Sequence, residues 1–311
     1  MTNTGWTEFV VQHPKGRAPD AIAGLCTFFY FERSIREIAA DVAAAIDLYV
    51  TYIGMDKLTH YTARSGFWKP MTARQLAKDL KNLRNFPHDH FGAHIGYDSE
   101  PVPGPYGVTL LSTVLADSFE VQRNNLLRFD YPPDWVGMEC AAGVLELTQR
   151  LLELMKPQTC NAGLAFKRTE GTLDAANRGV NRLLPRYLGF DPCNSNARNS
   201  LRDRILSAHW LNYIDAPLVS ACGGLAQLRA QLAGCEVKEL AGGLLIQSAK
   251  LPPIGDINAG APDIGCMPDV ARALKPIRKD RAPLGDADFD GDSWLARLDE
   301  LPARPWDNSK V

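Results

Sequence analysis

Apolar residues recur along this chain in two rhythms, and the switches between them mark its elements. Leu25 to Glu32 reads LCTFFYFE, a run continuous enough to predict a strand buried on both faces. Ser34-Ile35-Arg36-Glu37 follows in the order of a capping box, where Ser and Glu each satisfy an unpaired amide of a helix start. Ile35, Ile38, Ala39, Val42, Ile46, Tyr49 and Ile53 then share one face, predicting a long helix from Ser34 to Gly54. Leu58 to Ala63 predicts a short strand. Met71 and Leu76 form a hydrophobic staple around Thr72, and Gln75 stands where a second capping box needs it, so another helix runs to about Arg84. Phe91 to Tyr97 and Tyr106 to Leu115 read as strands on either side of the Pro-rich link Pro101 to Pro105. Phe119 to Phe129 fits strand or helix, Pro132-Pro133 breaks whatever precedes it, and Met138 to Lys156 is a Leu-rich helix stopped by Pro157.

The second half repeats the order strand then helix. Gly163 to Phe166 predicts a strand closed by a turn at Thr169-Glu170-Gly171, after which Thr172 caps a helix whose first turn carries Asp174. Leu173, Ala176, Val180, Leu183 and Leu184 form its apolar stripe, Pro185 ends it, and Gly189 supplies a left-handed stop. Further helices are predicted at 204–214, at 225–233 and near Asp269, and a strand at 242–249. Mixed order without regular βαβ alternation points to an α+β fold with helices packed on a mixed or antiparallel sheet. The expected division is an irregular N-terminus at 1–20, a main domain at 21–278, which admits two related lobes at 21–157 and 158–278, and an acidic Pro/Gly-rich tail at 279–311.

Composition narrows the function classes. With 45% hydrophobic and 23% charged residues the chain has the make-up of an ordinary soluble globular protein. A net charge of −2 argues against a nucleic-acid-binding polycation. No apolar run is long enough to cross a bilayer, and the N-terminus has no basic segment followed by an apolar one, so a cytoplasmic location is expected. Seven cysteines, an odd number without CxxC spacing, predict buried free thiols in a reducing compartment.

Few residues look poised for chemistry. His88, His90 and His94 alternate along a predicted strand and share a face, which is either a polar entry to the strand or the start of a metal site for a hydrolase. Asp286, Asp288, Asp290 and Gly291 copy the opening of an EF-hand loop, but Arg297 stands where that loop needs a bidentate Glu, which argues against calcium. Arg178, Arg182, Arg198, Arg202 and Arg204 make a local basic excess that reads as a solvated face. His209 near Tyr213 and Asp215 predicts a packed core element, with a His–Asp catalytic pair as the alternative, and Asp256 is expected to bond nearby amides in a turn. No phosphate loop, nucleophile elbow or HExxH pattern occurs in its required context.

Three segments, Leu184 to Asp191, His209 to Asp215 and Gly242 to Asp256, carry a resemblance to the type VI secretion immunity family that covers roughly residues 20 to 280. The resemblance implies a protein without catalytic machinery or cofactor, which binds and neutralises a cognate antibacterial effector, a nuclease of the VRR-Nuc or another restriction-endonuclease-like type. It implies no direct nucleic-acid partner and no membrane partner. A nuclease cleft is cationic, so the expected partner-facing segment is the one where carboxylates interleave with aromatics: Asp286, Asp288, Phe289, Asp290, Asp292, Trp294, Asp299 and Glu300. A solubilising tail is the alternative.

Overall fold

The computed structural model describes residues 5–302 except 14, 16–17, 63–66, 88–91, 101–102, 114–123, 169–172, 193–200, 202–203, 261, 280–284 and 287–288. Its first half contains β1 (Val10–Val11), β2 (Ala21–Phe31), α1 (Ile35–Ile53), β3 (His60–Thr62), β4 (Trp68–Pro70), α2 (Ala73–Arg84), β5 (Gly92–Asp98), β6 (Gly107–Thr113), β7 (Asn125–Tyr131) and α3 (Met138–Met155). The second half continues with β8 (Thr159–Arg168), α4 (Leu173–Leu183), β9 (Phe190–Asp191), β10 (Leu211–Asp215), α5 (Ala216–Ala221), α6 (Leu225–Gln231), β11 (Glu236–Leu240), β12 (Gly243–Gln247) and α7 (Met267–Ala273). A short hairpin, β13 (Gly285–Asp286) with β14 (Phe289–Asp290), leads into α8 (Gly291–Glu300).

Twelve strands form one sheet in the order β11-β12-β10-β8-β2-β7-β6-β5-β3-β4, with β1 added to β2 and β9 to β8. The fold is α+β, and among the described pairings of this sheet all but β8–β9 are antiparallel. The two halves of the chain meet at its centre, where β2 and β8 pair from Ala21↔Arg168 to Tyr30↔Thr159. The first core gathers α1, α2 and α3 with residues such as Phe29, Leu110 and Phe129, and the second gathers α4 to α8 with Phe166, Phe190 and Ile246. Successive residues of β12 alternate between them, Leu244 and Ile246 in the second and Leu245 in the first, as the two-residue period of a strand buried on both faces requires.

Local chemistry explains the helix ends. Ser34 and Glu37 close both halves of the capping box, the Ser34 amide donating to Glu37 Oε2 at 2.7 Å. Thr72 accepts from the Gln75 amide at 3.1 Å, while the Gln75 side chain turns to Asp79 at 2.8 Å, so that box is half made. α1 stops at Gly54, whose φ of 92° is open to glycine and costly for other residues. The capping residue expected at Thr172 lies outside the described residues.

Four expectations need correction. The segment 204–214 is irregular up to Trp210 and then enters β10, because Leu211 to Ile214 gain backbone partners from both β8 and β12. Gly189 has no left-handed φ; it is small because a Cβ there would collide with the Pro253 carbonyl. The cysteines are not all free, since Cys235, just before β11, is bonded to Cys266 at the start of α7. Cys26, Cys160 and Cys222 are buried free thiols as expected, Cys140 is half-buried, and Cys193 lies outside the described residues. The C-terminal segment is anchored through α8, whose Trp294 and Leu298 are 3% and 0% exposed in the second core. No helix among the described residues is long and apolar enough to cross a membrane.

Candidate partner-binding surface

Three residues of the acidic segment expected to face a partner, Asp290, Trp294 and Asp299, make contacts within their own chain. Trp294 and Leu298 lie four apart on one face of α8, and the Trp294 indole donates to the Leu184 carbonyl at 3.3 Å. The indole is therefore a core side chain rather than an exposed anchor. Asp290 caps α8, accepting from the amides of Asp292 at 3.1 Å and Ser293 at 3.3 Å. Asp299 receives both arms of the Arg278 guanidinium at 2.7 and 2.6 Å, which hold its carboxyl below the usual range. Asp292 and Glu300 are exposed, as is the capping Asp290. Asp286 and Phe289 are placed by the backbone pairing of β13 with β14, and Asp288 lies outside the described residues.

The histidine readings separate. His94 is exposed on β5, while His88 and His90 lie outside the described residues. His209 is buried, and its acidic neighbour is Asp191, Nδ1 to Oδ2 3.7 Å, rather than Asp215. That separation is too long for a hydrogen bond. Asp191 accepts from Asn161 at 2.7 Å, and Asp215 instead caps α5 by accepting from the Leu218 amide at 3.1 Å. Burial depresses the His209 imidazole below 6.5 despite the opposing pull of Asp191. The cavity beside it, bounded by Asn161, Ser207, His209 and Asn212 among others, is about 20 Å³, room for one water molecule. Asp256 takes the Arg186 guanidinium at 2.8 and 2.6 Å and the Asn258 amide at 2.9 Å, the turn role expected of it. Arg178 and Arg182 are exposed on α4; Arg204 donates to the Arg278 carbonyl, and Arg198 and Arg202 lie outside the described residues.

Sequence reading passed over an aromatic group that runs from the first core to the surface. Tyr131, fully buried, stacks on Trp135 at 5.5 Å between ring centres. Trp135 in turn meets Tyr52 edge-on at 6.0 Å and Tyr106 at 5.7 Å. Tyr52 is 41% exposed and Met138, in the first turn of α3, is 54% exposed. The Tyr52 hydroxyl lies over Gly143, where any Cβ would strike it. Below this group is a buried ionic cluster in which Lys167 Nζ approaches Asp98 at 3.0 Å and Asp130 at 3.4 Å, while Arg128 pairs with Asp130 at 2.5 Å. The sequence held a signal for one member alone: Tyr52 falls off the apolar stripe of α1, so packing within that helix does not account for it.

The family TsiV, described as type VI immunity for VRR-NUC, matches residues 41–306. None of the curated proteins matches. Among solved structures, a T6SS protein of Pseudomonas aeruginosa is similar with a TM-score of 0.77 and 20% identity, over 92% of this chain and 85% of that one. Identity at that level speaks for a shared fold alone. The family match spans most of the sequence, and the chain belongs to the type VI immunity family for VRR-NUC.

Proposed function

We propose that this protein binds a nuclease effector of the type VI secretion system and neutralises it by covering its substrate-binding or active site, without catalysis of its own. The observation that carries this reading is the family match over residues 41–306. Two features support it. The fold is a continuous sheet with buried apolar clusters packed against it, the stable scaffold that a tight inhibitor needs to keep its binding surface preorganised. Buried His209 borders a cavity of about 20 Å³, with room for water and none for a nucleic acid or peptide. Protection is proposed to act in the cytoplasm, where a nuclease meets chromosomal DNA.

Co-expression tests the proposal. Cells making a cognate VRR-Nuc nuclease effector are expected to grow only when the chain is present, and the purified pair is expected to co-elute without nuclease activity. Rescue of growth by a chain that does not associate with the effector would overturn it.

A further inference from the structure

Large apolar side chains left in water need a reason, and Tyr52 and Met138 are two of the three that this protein exposes most among its described residues. The third, Phe67, adjoins residues outside the described set. Tyr52 is fixed from beneath: its ring rests edge-on against Trp135, which rests on buried Tyr131, and its hydroxyl fills the space left by Gly143. Tyr106 braces the other side of Trp135. Tyr106 is itself held from below, because Lys167 Nζ donates to the Gly104 and Tyr106 carbonyls at 2.5 and 3.3 Å. Aromatic side chains already ordered in the free protein lose little freedom when a partner covers them.

The rim of this patch is acidic. Asp56, Asp134, Glu139 and Glu146 are all exposed. The nearby cation, Lys57, is bonded to Asp56 at 3.0 Å. Burial raises the Tyr52 hydroxyl first, and the charge of Glu146 adds to it; burial likewise raises Tyr106, with Asp134 and Asp56 adding to it against Lys57. Asp134 adjoins Trp135 and Glu139 adjoins Met138 in the chain, and Glu146 lies three residues beyond Gly143 on α3, which places these carboxylates beside the rings. Glu139 also complements the amino end of α3, whereas Glu146, two turns further along, has no such duty.

We propose that this patch, Tyr52, Trp135 and Met138 rimmed by Asp134, Glu139 and Glu146, is the surface that docks the cationic nucleic-acid-binding cleft of the nuclease effector. The inference rests on the function proposed above and adds the surface. A cleft that binds DNA carries Lys and Arg to offset phosphate, so a carboxylate rim matches it in charge. Aromatic residues and Met are the types enriched at the centres of protein interfaces. The C-terminal segment fits the same role less well, since its Trp294 is buried and its Asp299 is neutralised by Arg278.

The test is binding of an inactivated form of the cognate nuclease effector, followed by biolayer interferometry at several salt concentrations. Tyr52→Ala with Met138→Ala is expected to weaken affinity about 100-fold, mostly through faster dissociation. Glu139→Lys with Glu146→Lys, at two exposed positions, is expected to slow association about tenfold and to flatten its dependence on salt. Thermal unfolding of each variant shows that the fold is kept, and the charge variant decides the matter if the aromatic one is unstable. Wild-type binding with both variants unchanged would overturn the patch and leave the proposed function standing. Loss of binding in Asp292→Asn with Glu300→Gln, and not in the patch variants, would do the same and would point to the C-terminal helix. No binding by the wild-type chain would overturn both.

Discussion

Lys167 and Asp98 meet 3.0 Å apart inside the protein, with side chains 6% and 11% exposed. Their contact joins β8, a central strand, to β5, which lies four places along the sheet. The same pair grips the segment between β5 and β6: Asp98 accepts from the Gly104 amide at 3.0 Å, and Lys167 donates to the Gly104 carbonyl. Arg128 and Asp130 complete a cluster of two cations and two carboxylates. Burial raises Asp98 despite Lys167, whereas Arg128 and Lys167 outweigh burial at Asp130 and lower it.

Replacing Lys167 by Met leaves two buried carboxylates with one cation between them. The expected loss is about 3–5 kcal/mol, the usual cost of removing one partner from a buried pair. Adding Asp98→Asn to the Lys167→Met chain is expected to recover part of that loss, because the two residues share one interaction. Urea unfolding of the single and double variants checks this. Strictly additive losses would show that the two side chains do not couple.

His209 makes stability depend on pH. Its folded-state pKa lies below 6.5, so the unfolded chain takes up a proton more readily than the folded one. The sign follows directly: the contribution is fully present above 6.5 and is lost as pH falls below that value toward the folded pKa. Unfolding free energy is expected to decline as pH falls below about 6.5, and the decline is expected to be shallower in His209→Gln. Parallel curves for the two chains, measured by urea titration at each pH, would show that His209 titrates alike in both states.

What could be read from the sequence was local. Ser34 and Glu37 are three residues apart and make their bonds without help from elsewhere, so α1 is legible to within a residue at each end. β10 is not legible, because Leu211 to Ile214 is a short apolar run that period alone cannot assign; pairing with β8 and β12 decides it, and those strands are distant in sequence. The burial of Trp294 had a signal in its spacing from Leu298, but the surrounding acids dominate the composition and suggest solvent. The Cys235–Cys266 bond had none, since its spacing matches no motif and connectivity does not follow from sequence. The aromatic patch needed the fold itself: Tyr52, Tyr106 and Trp135 come from three separate segments, brought together by α1, α3 and the grip of Lys167 on the Tyr106 carbonyl.

The bond between Cys235 and Cys266 closes a sequence separation of 31 residues around β11 and β12. The chain-entropy account puts its contribution at about 3–4 kcal/mol for a loop of that size. Cys235→Ser is expected to lower stability by about 2–4 kcal/mol under oxidising conditions and to change little in dithiothreitol. Guanidinium unfolding with and without reductant measures both. An equal loss under the two conditions would mean that the serine disturbs packing and that the crosslink contributes nothing. Because disulfides persist mainly outside the reducing cytosol, protection by the Cys235→Ser chain also bears on where the protein works. Full protection is the outcome that fits action in the cytoplasm.

The last prediction concerns α8, because removing it is the obvious way to ask whether the acidic C-terminal segment binds a partner. Trp294 and Leu298 are core residues, and Arg278, 8% exposed, depends on Asp299 for both arms of its guanidinium. A chain ending at Lys279 therefore opens the second core, and its loss of protection would say nothing about an interface. Trp294→Ala is expected to cost about 3–5 kcal/mol, as for other buried aromatics. Asp299→Asn is expected to cost about 1.5–3 kcal/mol, the range for a hydrogen bond to a charged group. Asp292→Asn and Glu300→Gln, both exposed, are each expected to shift stability by less than about 0.5 kcal/mol. Urea unfolding of the four variants checks the ranking, and a truncated chain as stable as the full one would overturn it. With the ranking confirmed, Asp292→Asn and Glu300→Gln become the substitutions that test binding by this helix, because they change its charge and leave its packing alone.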